Sequence, residues 1–271
     1  MKYKLIVADF DDTTVGKDLV ISNITISAIH EYIKAGGTFV FCTGRMTESI
    51  IPYARKLGLK GEIMGYQGAE TADIETGNVL YSHTIDSKIA EDVCLFLENN
   101  GWYYQIYTDG YFWVDKANDY SRHYAVFSGV QMKETGVKLS TFIRENNISP
   151  LKIMLILDSS QNNKVLSKVR KKYAKSLTIN RSKPTLVEIV SNSIDKGKAV
   201  ENYAKRHGFK REEIICIGDG LSDIPMIEYA GLGVAMENGD ELVKKSAKVI
   251  APHCDEDGLA FIINKYGLNI N

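Results

Sequence analysis

The sequence predicts an α/β fold, a parallel-sheet core interrupted by an inserted α+β segment. Three observations predict it. At the start of the chain, short apolar runs alternate with helical stretches, the rhythm of a parallel sheet. The same rhythm returns at the end of the chain. Between the two lies an aromatic-rich stretch of alternating strands with a different rhythm.

Residues 5–10 are apolar and end in acid, which suits a strand buried on both faces. Ser22 or Asn23 can cap a helix that carries Ile26, Ile29 and Ile33 on one face and stops at Gly36–Gly37. Residues 38–42 form the next strand, broken by Thr43, Gly44 and Arg45; 49–57 read as a helix and 61–66 as a third strand. The middle section then opens with strands at 102–105 and 111–115 around an Asp109–Gly110 turn, a hairpin signature. Ten of the 26 aromatic residues fall within 102–127, enough for a small domain core. Strands at 152–157, 177–181 and 186–190 flank a helix at 162–174 whose Lys164, Lys168, Arg170, Lys171 and Lys172 read as a solvated face. After that come a helix at 196–207, a buried strand at 213–218, a helix at 221–229, a strand at 233–236 and a closing helix at 257–266. The expected domains are a core of 1–83 with 184–271 and an insertion of 84–183.

Composition narrows the function. Thirty-three basic residues against 34 acidic ones argue against a nucleic-acid binder. No apolar stretch reaches the roughly 18 residues of a membrane span, and the apolar start is cut off by Asp9, too early for a signal peptide. Cys42, Cys94, Cys216 and Cys254 are far apart and read as free thiols of a cytoplasmic protein. The motifs leave oligomeric state open.

Four polar clusters fall at strand ends or at a helix start, where ligands of a parallel sheet gather: Asp9-Phe10-Asp11-Asp12-Thr13, Thr43-Gly44-Arg45, Asp195-Lys196-Gly197-Lys198, and Gly218 through Asp223. Carboxylates from two strand ends repel one another unless a cation joins them, and magnesium favours a few carboxylates with phosphate and water. Asp9 and Asp11 leave the same face of an extended chain, so one can attack while the other moves protons. Thr43 and Lys196 would hold phosphoryl oxygens. Taken singly, each cluster is a common turn, cap or helix start; all four in this order point to chemistry.

DFDDT, FCTGR, DKGKAV and GDGLSD, in this order, resemble the four motifs of the haloacid dehalogenase superfamily of phosphohydrolases. The long insertion, the run Asp223–Met226, GVAMEN at 233–238 and DEDGLA at 255–260 resemble its Cof-type subfamily. The resemblance implies a Rossmann-like core with an α+β cap and a Mg2+-dependent phosphatase of a small phosphorylated metabolite, a sugar phosphate or nucleotide-like phosphate. It implies Asp9 as nucleophile and metal ligand, and Asp11 as general acid and base whose carbonyl also meets the metal. Asp219 is implied as the third ligand. Thr43, Gly44, Lys196 and Ser222 would bind phosphate, Asp223 would orient Lys196 and metal-bound water, and Arg45 is a substrate candidate. Ser222 stands where the family often has asparagine, and Asp12 where the superfamily often has glycine. A hexose-phosphate mutase on the same core is the enzymatic alternative. A non-catalytic phospho-ligand-binding regulator is the other, although it would be expected to lack the nucleophile or the acid.

Overall fold

The computed structural model describes residues 1–183 and 185–270, without the side chains of residues 127, 159, 162, 182 and 183. Pro184, inside the second expected boundary, and the side chain of Phe127, last of the aromatic stretch, lie outside the described residues. The chain divides into two compact units, 1–45 with 51–79 and 194–271, and 46–50 with 80–193.

Strand β1 (Leu5–Ala8) is buried at every position, because it pairs in parallel on both sides and has no solvent face. Helix α1 (Asn23–Lys34) starts at Ser22, whose side chain accepts the Thr25 amide, and runs to β2 (Thr38–Phe41). Its buried face is Thr25, Ala28, Ile29 and Tyr32; of the expected isoleucines Ile29 is fully buried, Ile26 half-buried and Ile33 exposed. Tyr32 wins the core position because its hydroxyl donates to Tyr3 O at 3.1 Å and Gly37 leaves room for its ring: a Cβ there would lie 2.4 Å from it.

Helix α2 (Thr47–Lys56) leads to β3 (Glu62–Gly65), β4 (Glu70–Asp73) and β5 (Val79–Ser82), which form a separate three-stranded sheet. The third strand is therefore not a full member of the parallel sheet as expected. It touches that sheet's chain at one parallel bridge, Cys42 to Met64, and gives its hydrogen bonds to antiparallel β4.

The second unit carries α3 (Ser87–Asn99), then β6 (Tyr104–Thr108) and β7 (Tyr111–Val114), α4 (Asp119–Ser128), β8 (Met132–Glu134), α5 (Leu139–Asn146), β9 (Lys152–Ile156), α6 (Ser159–Tyr173), β10 (Leu177–Lys183) and β11 (Leu186–Ser191). β6 and β7 are the expected hairpin; Asp109 and Gly110 both take positive φ, as a two-residue turn of this twist requires. The six strands form one sheet in the order β10-β11-β9-β6-β7-β8. Alternation sends Tyr104, Ile106, Ile153, Leu155, Val187 and Ile189 to one face, where they pack with Val93 and Leu97 of α3 and Val165 and Val169 of α6. The basic residues of α6 are partly engaged: Lys168 lies over Trp102, Lys172 over Phe96, and Arg170 donates to Ile179 O.

The chain then adds α7 (Lys196–His207), β12 (Ile214–Gly218), α8 (Ile224–Tyr229), β13 (Leu232–Met236), α9 (Glu241–Ser246), β14 (Val249–Ala251) and α10 (Gly258–Ile262), the last continued by a wider turn over Ile263–Gly267. The main sheet is parallel throughout, in the order β14-β13-β12-β1-β2. β1 and β12 are neighbours, so their carboxyl ends, Asp9 and Asp219, come side by side. Among the described residues no helix is long and apolar enough to cross a membrane.

Candidate active site

Asp9 leaves β1 while still bonded to the sheet: its amide donates to Ile217 O at 2.9 Å. Phe10 then turns inward, fully buried against Phe41 and Tyr53. Its carbonyl accepts the amides of Thr14 and Val15, and the Thr14 hydroxyl donates to Asp9 O at 2.6 Å. This tight loop fixes the Asp9 backbone and lifts Asp11 out to a half-buried position. There Arg45 grips it in a two-pronged pair, Nε to Oδ2 at 2.8 Å and NH2 to Oδ1 at 2.7 Å. The Arg45 guanidinium also lies 5.0 Å from the centre of the Phe10 ring.

Thr43 is buried just beyond β2. Its amide is committed to Met64 O and its carbonyl to the Gln67 amide, so its backbone holds the loop together. Its hydroxyl oxygen accepts the Arg45 amide at 3.1 Å, which leaves the hydroxyl proton to donate elsewhere. At Gly44 a Cβ would lie 2.4 Å from Gln67 Nε2, so the missing side chain is what lets this buried glutamine sit against the loop.

Lys196 is the first residue of α7, placed there by its cap: the Asp195 side chain accepts the Lys198 amide at 2.8 Å. Its ammonium is buried, 2.5 Å from Asp223 Oδ1 and 2.9 Å from Asp9 Oδ1. Two glycines permit this approach. A Cβ on Gly197 would lie 2.5 Å from Pro225 O, and one on Gly218 would lie 2.4 Å from Asp223 Cγ.

Asp223, wholly buried, also accepts the amides of Asp219 and Gly220 through Oδ2, at 3.0 and 2.9 Å. Both of its oxygens are thus engaged, so it braces Lys196 and the Asp219 loop. Asp219 receives the Thr13 hydroxyl at 2.8 Å, and its carbonyl accepts the Asp240 amide. Ser222 sits half-buried between Asp219 and Asp223.

Asp9, Asp219 and Asp223 each bring a carboxylate oxygen within 4.8 Å of the other two. Burial, then the charge of Asp223, raises the Asp9 carboxyl far above the usual range, against the pull of Lys196. Burial, then Asp223 and Asp9, does the same to Asp219. Burial works against the Lys196 ammonium, and Asp223 and Asp9 overcome it and push its pKa up. Three close carboxylates against one ammonium form an all-oxygen, electron-rich donor set that a hard divalent cation would complete, so the residues fit magnesium.

The structure therefore brings Asp9, Asp219, Asp223 and Lys196 into one cluster, and Asp11 and Arg45 into a pair beside it. Thr13, Gln67 and Asn238 were not singled out from the sequence. Thr13 and Asn238 stand inside runs already quoted, while Gln67, at φ 61°, carried no local signal. Asn238 donates to Asp12 O at 2.6 Å and so ties the far loop to the Asp9 loop.

The chain is similar to known proteins over nearly its whole length. Phosphatase YwpJ of Bacillus subtilis is 28% identical, over 96% of this chain and 98% of its own length. The same organism's 5-amino-6-(5-phospho-D-ribitylamino)uracil phosphatase YcsE is 29% identical, over 98% and 96%. The crystal structure of a haloacid dehalogenase-like hydrolase from Bacteroides thetaiotaomicron superimposes with a TM-score of 0.85 at 29% identity, over 97% of this chain and 99% of that one. The family model for haloacid dehalogenase-like hydrolases spans residues 6–263, and with it the chain belongs to that family, as one of its Cof-type phosphatases.

Proposed function

We propose that this phosphatase is Mg2+-dependent and hydrolyses a small phosphorylated metabolite, a sugar phosphate or nucleotide-like phosphate, through an aspartyl-phosphate on Asp9. The observation that carries the reading is the buried cluster of Asp9, Asp219 and Asp223 around Lys196. Asp9, Asp219 and the Asp11 carbonyl would hold Mg2+, which when bound offsets the charge of carboxylate and phosphate together.

An Asp9 oxygen attacks phosphorus, the ester P–O bond breaks, and Asp11 gives its proton to the departing alcohol oxygen. Lys196, Thr43, Gly44 and Ser222 hold the phosphoryl oxygens, and Asp223 keeps Lys196 in place. Asp11 then takes a proton from water as that water attacks phosphorus, which releases phosphate and restores Asp9. Arg45 aims Asp11 during the reaction: one carboxyl oxygen stays with the guanidinium while the other carries the proton that passes to the leaving oxygen. Residues 84–183 act as a cap that selects among substrates and keeps bulk water from the reaction. The protein is read as cytoplasmic from its separated thiols.

The test is phosphate release from a panel of phosphorylated metabolites with magnesium. A ribityl phosphate belongs at its head, since relatives are named for one. Turnover by the native chain and a loss of three or more orders of magnitude in Asp9→Asn is the expected result, on the order of what a disabled nucleophile costs. An Asp9→Asn variant within about tenfold of native would overturn the covalent route. Isomerisation of a hexose phosphate that needs a bisphosphate activator, without net hydrolysis, would make the chain a mutase.

A further inference from the structure

A second group of metal-binding side chains stands apart from the carboxylate cluster. Just after β14, His253 caps a short turn over Cys254–Glu256. Cys254 Sγ is 3.7 Å from His253 Nδ1 and 3.8 Å from Asp255 Oδ1, and His253 Nδ1 is 3.7 Å from Asp255 Oδ2. The carboxylate faces the sulfur with one oxygen and the ring nitrogen with the other, and one ligand atom from each of the three residues lies within 4.8 Å of the other two.

A tetrahedral zinc ion holds sulfur at about 2.3 Å and nitrogen or oxygen at about 2.0–2.2 Å, so the edges between its ligands run about 3.3–3.6 Å. With one oxygen from the carboxylate the three atoms would have to close by up to about 1 Å to match one face of that tetrahedron, a movement that rotation of these partly exposed side chains supplies. We propose that His253, Cys254 and Asp255 form a site for a thiophilic transition-metal ion of the zinc type, distinct from the magnesium cluster.

Further observations support it. The His253 Nδ1 accepts the Asp255 amide at 3.1 Å, which puts the ring proton on Nε2, so the Nδ1 lone pair is unprotonated and can turn to a metal once that amide is displaced. Cys42, Cys94 and Cys216 are buried, whereas Cys254 is half-exposed and reachable by an ion. Gly16 leaves space for the Asp255 carboxylate, since a Cβ there would lie 2.1 Å from Oδ1.

Binding requires that the thiol proton leave to water. Thiolate, imidazole and carboxylate then each give an electron pair, and solvent fills the fourth position. The metal must also displace the Asp255 amide from Nδ1, a hydrogen bond worth about 1 kcal/mol. The site is mechanically joined to the catalytic loop, because the Cys254 amide donates to Asn238 Oδ1 at 2.9 Å and Asn238 donates to Asp12 O.

The experiment is zinc binding to the full chain, in excess magnesium, by competition with a chromophoric chelator. A cobalt(II) spectrum is recorded beside it. Neither readout depends on turnover, so it stands or falls separately from the phosphatase reading. We expect one zinc ion per chain. Affinity should fall on the order of 10²-fold in each of Cys254→Ser, Cys254→Ala and His253→Ala, at least the loss seen when a ligand's own support is removed. The cobalt form should show a thiolate charge-transfer band that both Cys254 variants lack. Equal affinity in native and variant chains, or a cobalt spectrum without that band, would overturn the site.

Discussion

Asp11 and Arg45 show how a single residue is set for chemistry. A carboxylate held on both oxygens by a guanidinium has a fixed direction. In Asp11→Asn the fold and the charged nucleophile remain but proton transfer is lost, so hydrolysis of an alkyl phosphate should fall about 10²–10⁴-fold. The loss should be smaller for p-nitrophenyl phosphate, whose leaving group needs little protonation; equal losses would remove Asp11 from the acid role. Arg45→Ala should imitate this in weaker form, about tenfold on the alkyl ester, because Asp11 is present but no longer aimed. Arg45→Lys should not rescue it, since an ammonium cannot make the two-pronged pair. A rescue by lysine would mean that only the charge of Arg45 matters. The principal carboxylates were legible beforehand because they end apolar strands, where a parallel sheet gathers its ligands. Gln67, and the use of the Thr43 amide to hold β3, were not legible, because both depend on contacts between loops far apart in sequence.

At the scale of elements, Lys196 reaches its partners only because α7 and α8 approach closely. Gly197→Ala would press a Cβ against Pro225 O, a backbone atom that cannot swing away. The helices must separate, and the cost should be about 1–3 kcal/mol by the usual penalty for overpacking. Because the separation moves Lys196 from Asp223, turnover of p-nitrophenyl phosphate should fall with the melting temperature. Gly208→Ala is the control. Gly208 ends α7 at φ 74° with nothing within 4 Å of its would-be Cβ, so it should lose about 1 kcal/mol to backbone strain and leave turnover unchanged. If both variants lose activity alike, the α7–α8 contact is not what places Lys196. Sequence pattern served these elements unevenly. β1 and β12 are continuous apolar runs and announce themselves, whereas β14 has three residues and α9 six, too short for a period to emerge. The third strand was found but its pairing was not, since a strand's own residues do not say which neighbour takes its hydrogen bonds. On α1 the expected face held at Ile29 and failed at Ile33, where the neighbouring Tyr32 takes the core position and finds a backbone acceptor for its hydroxyl.

For the whole molecule, the carboxylate cluster makes stability a function of metal and pH together. Without magnesium, burial and mutual repulsion raise Asp9 to about 7 and Asp219 to about 8. In the unfolded chain both would titrate near about 4. Between these limits the folded protein binds protons that the unfolded chain has released, so its stability falls as pH rises. The metal-free protein should therefore lose melting temperature steadily from about pH 4 to about pH 8, the window between the unfolded and folded values. Magnesium, when bound, would neutralise that field, since its two charges offset the net −2 of three carboxylates and one ammonium. It should raise the melting temperature strongly at the alkaline end, where both carboxylates are charged, and little at the acid end, where protons already occupy them. Asp219→Asn removes one of the two titrating groups. That variant should be less sensitive to pH without metal and should gain less from magnesium, although its catalytic rate is lost. Calorimetry across this range, with chelator and then with magnesium, separates the outcomes. A metal-free melting temperature that is flat in pH, or a magnesium increment the same at both ends, would mean that the three carboxylates are already neutralised within the fold and that no cation is needed to complete them.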